Sequence, residues 1–239
     1  MNYALIGYGK MGHAIESSAA ARGHVLKAIV DHKARGARVA RTIDDASWRG
    51  VKLAFEFTAP AAAKDNVVAL LRRGVSVVCG TTGWDATDKD LRRAARASAG
   101  GAVIAANFSI GVNIFYAVVS EAARRYLATG NYDPWVAEWH HRAKVDAPSG
   151  TARRLAGLVA VPAPGVAFVR AGHEPGRHVV GFEGVHDAIR LEHVSRGREG
   201  LAAGAVLAAE WLLGRRGIHG FDEVFDGRGS RRGRRGGQA

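Results

Sequence analysis

A glycine-rich turn near the N-terminus constrains the fold of this chain more than any other feature of its sequence. Gly7, Gly9 and Gly12 form a Gly-x-Gly-x-x-Gly pattern that follows an apolar run, 3–6, and precedes a stretch with helical spacing, 10–22. The first glycine permits a tight turn, the second lets the backbone approach a pyrophosphate, and the third lets helix and strand pack closely. Because the start of a helix presents unpaired N–H groups, the pattern predicts a dinucleotide-binding βαβ unit.

An acidic residue at the end of the next apolar run supports the same interpretation. Asp31 lies 19 residues beyond the third glycine, directly after the predicted strand 25–30. An acid at this place binds the adenosine ribose and favours NAD, because a carboxylate repels a 2′-phosphate. However, His32, Lys33 and Arg35 follow at once, and Lys10 sits in the glycine loop. Basic groups here could hold a 2′-phosphate, so the sequence predicts NADH, NADPH or both as cofactor.

The order of apolar and amphipathic segments predicts two domains. In the first half, strands at 53–57, 75–78 and 102–106 alternate with helices at 59–73 and 88–99, which is typical of a parallel sheet. After a predicted helix at 114–127, strand-like runs crowd together at 135–139, 166–170, 178–182 and 188–194, with helices at 151–159 and 202–213. We therefore predict an α/β fold: an N-terminal Rossmann domain, 1–107, and a second α+β domain on an open mixed sheet, 108–214.

Charge, apolar content and cysteine count restrict the possible functions of the chain. The formal net charge is +12, but the Gly-rich tail, 227–239, holds five arginines and one apolar residue, Ala239, and is predicted to be disordered. The remaining charge of +7 suits an enzyme with an anionic cofactor and an anionic substrate. No apolar run reaches the length of a membrane span, and the single Cys79 suits a reducing cytoplasm, where we expect the protein to act.

The segment 138–152 contains several cationic residues close together, just before a predicted helix start. The segment reads Glu-Trp-His-His-Arg-Ala-Lys-Val-Asp-Ala-Pro-Ser-Gly-Thr-Ala, with two histidines, an arginine and a lysine within five positions. Such crowding costs stability unless an anion neutralises it. Ser149 is a good N-cap, and a helix that begins after it would bind a carboxylate at its first turn. The pattern favours a small substrate with two carboxylates.

Two alternatives compete with that interpretation. Adjacent histidines could bind a metal, but zinc prefers about four ligands of His, Cys or carboxylate type, and no cysteine lies near. We predict no metal. The cluster could also be a basic loop that is simply solvated, which is the usual state of charge runs.

The same segment resembles the His-His-x-x-Lys-x-Asp-Ala-Pro-Ser-Gly-Thr-Ala signature of dihydrodipicolinate reductases. Four further segments resemble that family in order and spacing. These are 56–60, with Glu where the family has Asp, then 80–83, 105–113, and 170–172 with His178. The resemblance covers residues 1–226.

The resemblance implies a role for individual residues. His140 would donate or accept the proton and Lys144 would be a second proton donor, while His141, Gly150 and Thr151 would bind substrate. Together with the glycine motif, it implies a set of residues that bind the cofactor: Gly7, Tyr8, Gly9, Lys10, Met11, Gly12, Asp31, Gly80, Thr81, Thr82, Ala105, Ala106, Asn107 and Phe108.

The resemblance also implies the activity and the assembly. The chain would reduce 4-hydroxy-tetrahydrodipicolinate with NADH or NADPH in diaminopimelate and lysine biosynthesis, as a homotetramer formed through the second sheet. Residues 215–226 would pack back on the first domain. Two other functions remain as alternatives: another two-domain amino-acid dehydrogenase, such as an aspartate dehydrogenase, or a cofactor-sensing or nucleic-acid-binding protein that uses the basic tail. No helix-turn-helix, zinc or aromatic-interleaved basic motif supports nucleic-acid binding.

Overall fold

The computed structural model describes residues 1–161 and 165–225, so the basic tail predicted to be disordered lies outside the described residues. Within them, the elements run in the order β1 (Asn2–Ile6), α1 (Lys10–Ala21), β2 (Val25–Val30), β3 (Val39–Ala40), β4 (Leu53–Glu56), α2 (Pro60–Arg72), β5 (Ser76–Cys79), α3 (Lys89–Ala97), β6 (Gly101–Ile104), α4 (Ile110–Leu127), β7 (Asp133–His140), α5 (Gly150–Leu158), β8 (Ala167–Arg170), β9 (Arg177–Glu183), β10 (Ala188–Val194), α6 (Glu199–Leu212), β11 (Gly217–His219) and a 3-10 helix (Asp222–Val224). No helix in this part of the chain is both long and apolar enough to cross a membrane.

The first compact unit comprises Met1–Phe108 and the described residues from Leu201 onward, and it contains the parallel sheet that the sequence predicted. Its strands lie in the order β3-β2-β1-β4-β5-β6-β11, and every pair of neighbours is parallel. Strands β4 and β5 are buried at every residue, as expected for the centre of a sheet covered on both faces. The strand order reverses between β1 and β4, and ligands of such sheets bind at the carboxyl ends beside this reversal.

The second unit, Ser109–Gly200, contains a four-stranded sheet in the order β10-β9-β7-β8. Strand β7 pairs antiparallel with β9 and parallel with β8, and β9 pairs antiparallel with β10, so the predicted mixed sheet is confirmed. Helices α4 and α5 cover one face of it, with a core that includes Val119, Val136, Leu155, Val180 and Phe182. That covered face also carries the polar residues described below.

The division differs from the predicted boundary at residue 214, because most of α6 belongs to the first unit. The backbone of Gly204 approaches the carbonyl oxygen of Phe108 so closely that a Cβ atom would lie 1.8 Å from it. Glu210, on the same helix, pairs with Arg22 and His24. Helical spacing predicted the helix, but a local pattern does not reveal which sheet a helix packs on.

Two short strands and one helix start also differ from the sequence prediction. Strand β3 has two residues and β11 has three, too few for a recognisable alternation. Helix α4 begins at Ile110, four residues earlier than predicted, because the Ser109 hydroxyl accepts a hydrogen bond from the Val112 N–H at 3.3 Å. Strand β11 pairs with β6, so Gly217–His219 belong to the first sheet.

Candidate functional site

Two glycines shape the loop between β1 and α1. At Gly7, φ is +90° and a Cβ atom would lie 2.3 Å from the carbonyl oxygen of Phe57. At Gly12, a Cβ atom would lie 2.6 Å from the carbonyl oxygen of Gly7. Gly9 differs, because a Cβ atom there would meet no heavy atom of the described chain within 4 Å. Packing therefore requires Gly7 and Gly12, whereas Gly9 borders open space.

The start of α1 supplies groups that bind anions. Gly9 is the N-cap of this helix and has no side chain to accept a hydrogen bond from the first turn. The N–H groups there remain for a ligand, at the positive end of the helix dipole. The exposed Lys10 adds positive charge, and Met11 is half-buried. The loop therefore fits the pyrophosphate of a dinucleotide.

Asp31 holds this loop to the turn after β2. One carboxylate oxygen accepts from the Tyr8 N–H at 2.8 Å, and the other accepts from the N–H groups of Lys33 and Ala34 at 2.7 and 2.8 Å. Burial acts to raise the pKa of Asp31, but the three backbone donors outweigh it and hold the pKa below its usual value. The oxygen that Tyr8 contacts has a second lone pair, so Asp31 can still accept from a ribose hydroxyl.

The loops that follow β4 and β5 are bound to each other. A Cβ atom on Gly80 would lie 2.1 Å from the ring of Phe57, so only glycine allows this approach. The Thr58 N–H donates to the Thr81 hydroxyl at 2.9 Å, while Thr82 is exposed. The predicted loop 80–83 thus lies at the carboxyl ends of the central strands.

The predicted segment after β6 reaches the same edge of the sheet. The Ala105 N–H donates to the Cys79 carbonyl at 3.1 Å, Ala106 is exposed, and Asn107 is half-buried. Phe108 is buried, and its ring centroid lies 6.0 Å from that of Phe57. Every residue predicted to bind the cofactor therefore belongs to the first unit, in segments that follow β1, β2, β5 and β6.

The residues predicted to carry the chemistry lie in the second unit, at the end of β7. Side chains alternate along a strand, so Glu138 and His140 share one face, and both are buried. His178 on β9 pairs directly with Glu138 and is buried as well. On the opposite face, the guanidinium of Arg177 stacks on the ring of Trp139 at 4.3 Å.

Glu138 lies at the centre of this group. Its Oε1 accepts from the Ser149 N–H at 2.9 Å and from Arg170 Nη2 at 2.5 Å. Its Oε2 lies 3.4 Å from His140 Nδ1 and 3.4 Å from His178 Nε2. Burial acts to raise the pKa of Glu138, but the contacts with His178, Ser149 and Arg170 outweigh it and hold the pKa far below the usual value. The carboxylate is therefore ionised.

His140 is neutral in this environment. Burial lowers its pKa to about 4, against the attraction of Glu138, and the positive charges of Lys144 and Arg170 act in the same direction as burial. The ring lies edge-on to His178, with centroids 5.0 Å apart. The loop before β9 also approaches it, since a Cβ atom on Gly176, where φ is +126°, would lie 3.2 Å from His140 Nε2.

Three buried residues of this group have the side-chain types and the spacing of metal ligands. Glu138, His140 and His178 each offer a ligand atom, and these atoms lie within 4.8 Å of one another. However, the guanidinium of Arg170 already pairs with Glu138, and a second cation would be repelled there. The absence of a metal stays a prediction.

Helix α5 begins beside Glu138. The Ser149 hydroxyl accepts from the Ala152 N–H at 3.1 Å and caps the helix, as predicted from the sequence. A Cβ atom on Gly150 would meet nothing within 4 Å among the described residues, so the first turn borders open space. Thr151 interacts with the hydroxyl of Tyr116, whose pKa burial raises in spite of that contact. The helix start is therefore shaped to receive a carboxylate.

The loop between β7 and α5 places Lys144 against Asp146. Lys144 Nζ lies 2.6 Å from an Asp146 oxygen, and the Lys144 N–H donates to the carbonyl of His141. Burial acts to raise the pKa of Asp146, but the hydrogen bond and charge of Lys144 lower it overall. In this structure Lys144 is thus paired with a carboxylate of its own loop, while the half-buried His141 lies just after the strand.

Comparison with known proteins agrees with the boundary near residue 108, although the second match also includes described residues from Leu201 onward that belong to the first unit. Residues 1–108 match the family model described as dihydrodipicolinate reductase, N-terminus, and residues 111–225 match the model described as dihydrodipicolinate reductase, C-terminus. The chain belongs to the dihydrodipicolinate reductase family.

Relatives in this family cover most of the chain. A 4-hydroxy-tetrahydrodipicolinate reductase of Christiangramia forsetii is 31% identical over 94% of this chain and 98% of its own. One of Methanoculleus marisnigri is 38% identical over 71% of this chain and 74% of its own. The fold is similar to that of a dipicolinate-bound dihydrodipicolinate reductase from Paenisporosarcina sp. TG-14, with a TM-score of 0.78, 22% identity, and coverage of 94% of this chain and 99% of that one.

Three residues of the cluster around His140 were not given roles from the sequence. The sequence analysis includes Glu138 only as the first residue of the segment 138–152. It includes Arg170 and His178 only as part of a segment that resembles the family. The spacing of Glu138 and His140 on one predicted strand was a usable signal, because it places them on the same face. Arg170 and His178 carried no such signal, since the pairing of β7 with β8 and β9 brings them in.

Proposed function

We propose that this chain reduces 4-hydroxy-tetrahydrodipicolinate to tetrahydrodipicolinate with NADH or NADPH. The observation that carries the proposal is the arrangement in the second unit. A buried histidine, His140, ends the strand that leads into Lys144 and into the open N-terminus of α5. The family to which the chain belongs, and the activity named for its relatives, support the same reaction.

The cofactor is held by the first unit. The N–H groups of α1, beside Gly9 and Lys10, would hold the pyrophosphate, and Asp31 would accept from the ribose. The loop at Gly80–Thr82 and the segment 105–108 would hold the nicotinamide, which would supply a hydride to C4 of the substrate. These residues fit a dinucleotide because Gly9 leaves space where a side chain would otherwise stand.

The substrate is held by the second unit. One carboxylate binds at the N-terminus of α5, to Gly150 and Thr151, and His141 and Lys144 supply positive charge and hydrogen-bond donors. To reach the substrate, Lys144 exchanges its contact with Asp146 for one with the ligand. Loss of water from the 4-hydroxy compound gives a conjugated cyclic imine, and hydride addition converts it to an enamine.

His140 completes the reaction by giving a proton to the enamine carbon next to the reduced one. Without ligand the imidazole is neutral, because its pKa is lowered to about 4. A bound dicarboxylate brings two negative charges near the ring and favours its protonated form. Substrate binding thus prepares the proton donor. The sum of the steps consumes one substrate, one reduced cofactor and one proton and yields product, oxidised cofactor and water.

A coupled assay tests the proposal. The product of dihydrodipicolinate synthase is supplied with NADH or with NADPH, and nicotinamide absorbance is followed. We expect its loss to depend on the chain and to be inhibited by dipicolinate. Oxaloacetate with ammonia, the substrates expected for an aspartate dehydrogenase, should give no turnover, and turnover with that pair alone would reject the proposal.

We further propose a cytoplasmic homotetramer that binds no nucleic acid. One row of residues crosses all four strands of the second sheet on the face away from Glu138: Val169, Trp139, Arg177 and Val194. Val169 and Val194 are 43% and 49% exposed, which suits contact with another copy of the chain. Light scattering should give four chains for the wild type and fewer for Val169→Lys. A monomeric wild type would contradict this assembly.

A further inference from the structure

We propose that Glu138 is the positioning residue of the proton donor, setting the tautomer and the charge of His140 and fixing the start of α5 beside it. This inference rests on the proposed function, because it assigns Glu138 a part in the same proton transfer. It concerns a residue that touches His140 and Ser149 and need not touch substrate.

The first step is the burial of Glu138. Its side chain has no exposed surface, and a carboxylate in such a place is costly unless its charge is balanced and its oxygens have partners. Arg170 balances the charge at Oε1, where Ser149 also donates its N–H. Since both of these partners use Oε1, the arrangement leaves Oε2 facing the two imidazoles.

The second step concerns which ring nitrogen of His140 carries the hydrogen. An ionised carboxylate can only accept, so the imidazole nitrogen that faces it carries hydrogen. Nδ1 of His140 faces Oε2 at 3.4 Å, a distance longer than that of a hydrogen bond. This orientation assigns the hydrogen of the neutral ring to Nδ1 and leaves Nε2 as the nitrogen that accepts and then delivers the catalytic proton. The neighbouring Gly176 has no side chain to crowd Nε2.

The third step concerns the helix start. The Oε1 contact with the Ser149 N–H fixes the N-cap of α5, and the Ser149 hydroxyl lies 3.2 Å from His178 Nε2. One carboxylate therefore links the end of β7, which carries His140, to the first turn of α5, where the proposed substrate carboxylate binds. Loss of its charge should weaken the protonated form of His140 more than it disturbs cofactor binding.

Glu138→Gln tests this role, with Glu183→Gln as the matched control. Glu183 lies at the far end of β9, where it contacts Trp135 and Arg190. For E138Q we expect kcat to fall about 10- to 100-fold, a part of the contribution of a general acid, with the KM for NADH unchanged. The fall should grow as pH rises, because the variant's imidazole loses its proton at lower pH. E183Q should keep the wild-type kcat and pH profile.

The nitrogen chemical shifts of labelled histidine give a readout without turnover. In the wild type we expect the neutral ring of His140 to carry its hydrogen on Nδ1, and in E138Q we expect a mixture of tautomers and a lower titration midpoint. A wild-type ring with hydrogen on Nε2 overturns the proposal, and so does an E138Q profile that matches the wild type. If E138Q fails to fold because Arg170 is left unpaired, E138Q/R170M removes both charges. The same chemical shifts and rates, measured on that variant, then test the role of Glu138. An inactive wild type with the expected tautomer would reject the proposed function alone.

Discussion

The glycine loop of the first unit and the cluster around His140 in the second are built in different ways. The loop is made of backbone: Gly7 and Gly12 are fixed by steric contact, and the start of α1 at Gly9 has no side-chain cap. The cluster is made of side chains from separate strands, held by the buried carboxylate of Glu138. A backbone site depends on the absence of side chains, and a side-chain site on a tertiary network. Substitutions in the glycine loop and substitutions in the cluster should therefore have different effects on stability, cofactor binding and turnover.

The largest effect is expected at the proton donor. His140→Gln should lower kcat about 10²- to 10⁴-fold, because it removes the acid without removing a cofactor contact. NADH affinity, measured by isothermal titration, should change little. His186→Gln, at an exposed position, serves as the control. A variant that keeps more than half of the wild-type kcat while chemistry limits the rate would exclude His140 from this role.

Two substitutions in the glycine loop should affect protein stability and cofactor binding separately. Gly7→Ala places a Cβ atom against the carbonyl of Phe57 at positive φ, and we expect a loss of about 2–4 kcal/mol in the free energy of unfolding. Gly9→Ala should leave the free energy of unfolding nearly unchanged, because its Cβ meets open space, yet weaken NADH binding at least about tenfold by crowding the pyrophosphate. Urea unfolding and titration calorimetry measure both. Equal stability losses for the two variants would contradict the distinction.

The cluster should also make stability depend on pH. Because the folded pKa of His140 is about 4 and the ordinary value is 6.5, only the unfolded chain binds a proton between these pH values. The part of the stability that depends on His140 is therefore fully present above pH 6.5 and falls as pH decreases towards 4, by about 3 kcal/mol. Urea unfolding across the range should show a flatter curve for His140→Gln than for His186→Gln. Parallel curves would show that His140 is not held neutral.

Asp31 tests whether a side chain also matters in the backbone site. Asp31→Ala should weaken NADH binding by about 1.5–3 kcal/mol, the value of a hydrogen bond to a charged group, and should leave NADPH binding equal or better. Lys33→Ala should act mainly on NADPH. Calorimetry with both cofactors decides. If Asp31→Ala weakens both equally, its contacts with Tyr8, Lys33 and Ala34 are its whole function.

The two regions also differ in how far the sequence predicts them. The glycine loop and the capped start of α5 are local, and their residues follow one another along the chain. By contrast, the contacts of Glu138 depend on the register of β7 with β8 and β9, which no local pattern encodes. The same reason explains the boundary at residue 214. Helical spacing predicted α6, but the approach of Gly204 to Phe108 that places it on the first unit is a long-range contact.

If reduction is divided between a backbone site for the cofactor and a side-chain site for the proton, the two can be damaged separately. The direct measurement is the Kd for NADH together with kcat at saturating cofactor and substrate, for the wild type, Gly9→Ala and His140→Gln. We expect Gly9→Ala to raise Kd and keep most of kcat, and His140→Gln to keep Kd and lose kcat. This division would be contradicted if His140→Gln lowered the affinity for NADH as far as it lowered kcat. It would also be contradicted if the wild type turned over no 4-hydroxy-tetrahydrodipicolinate.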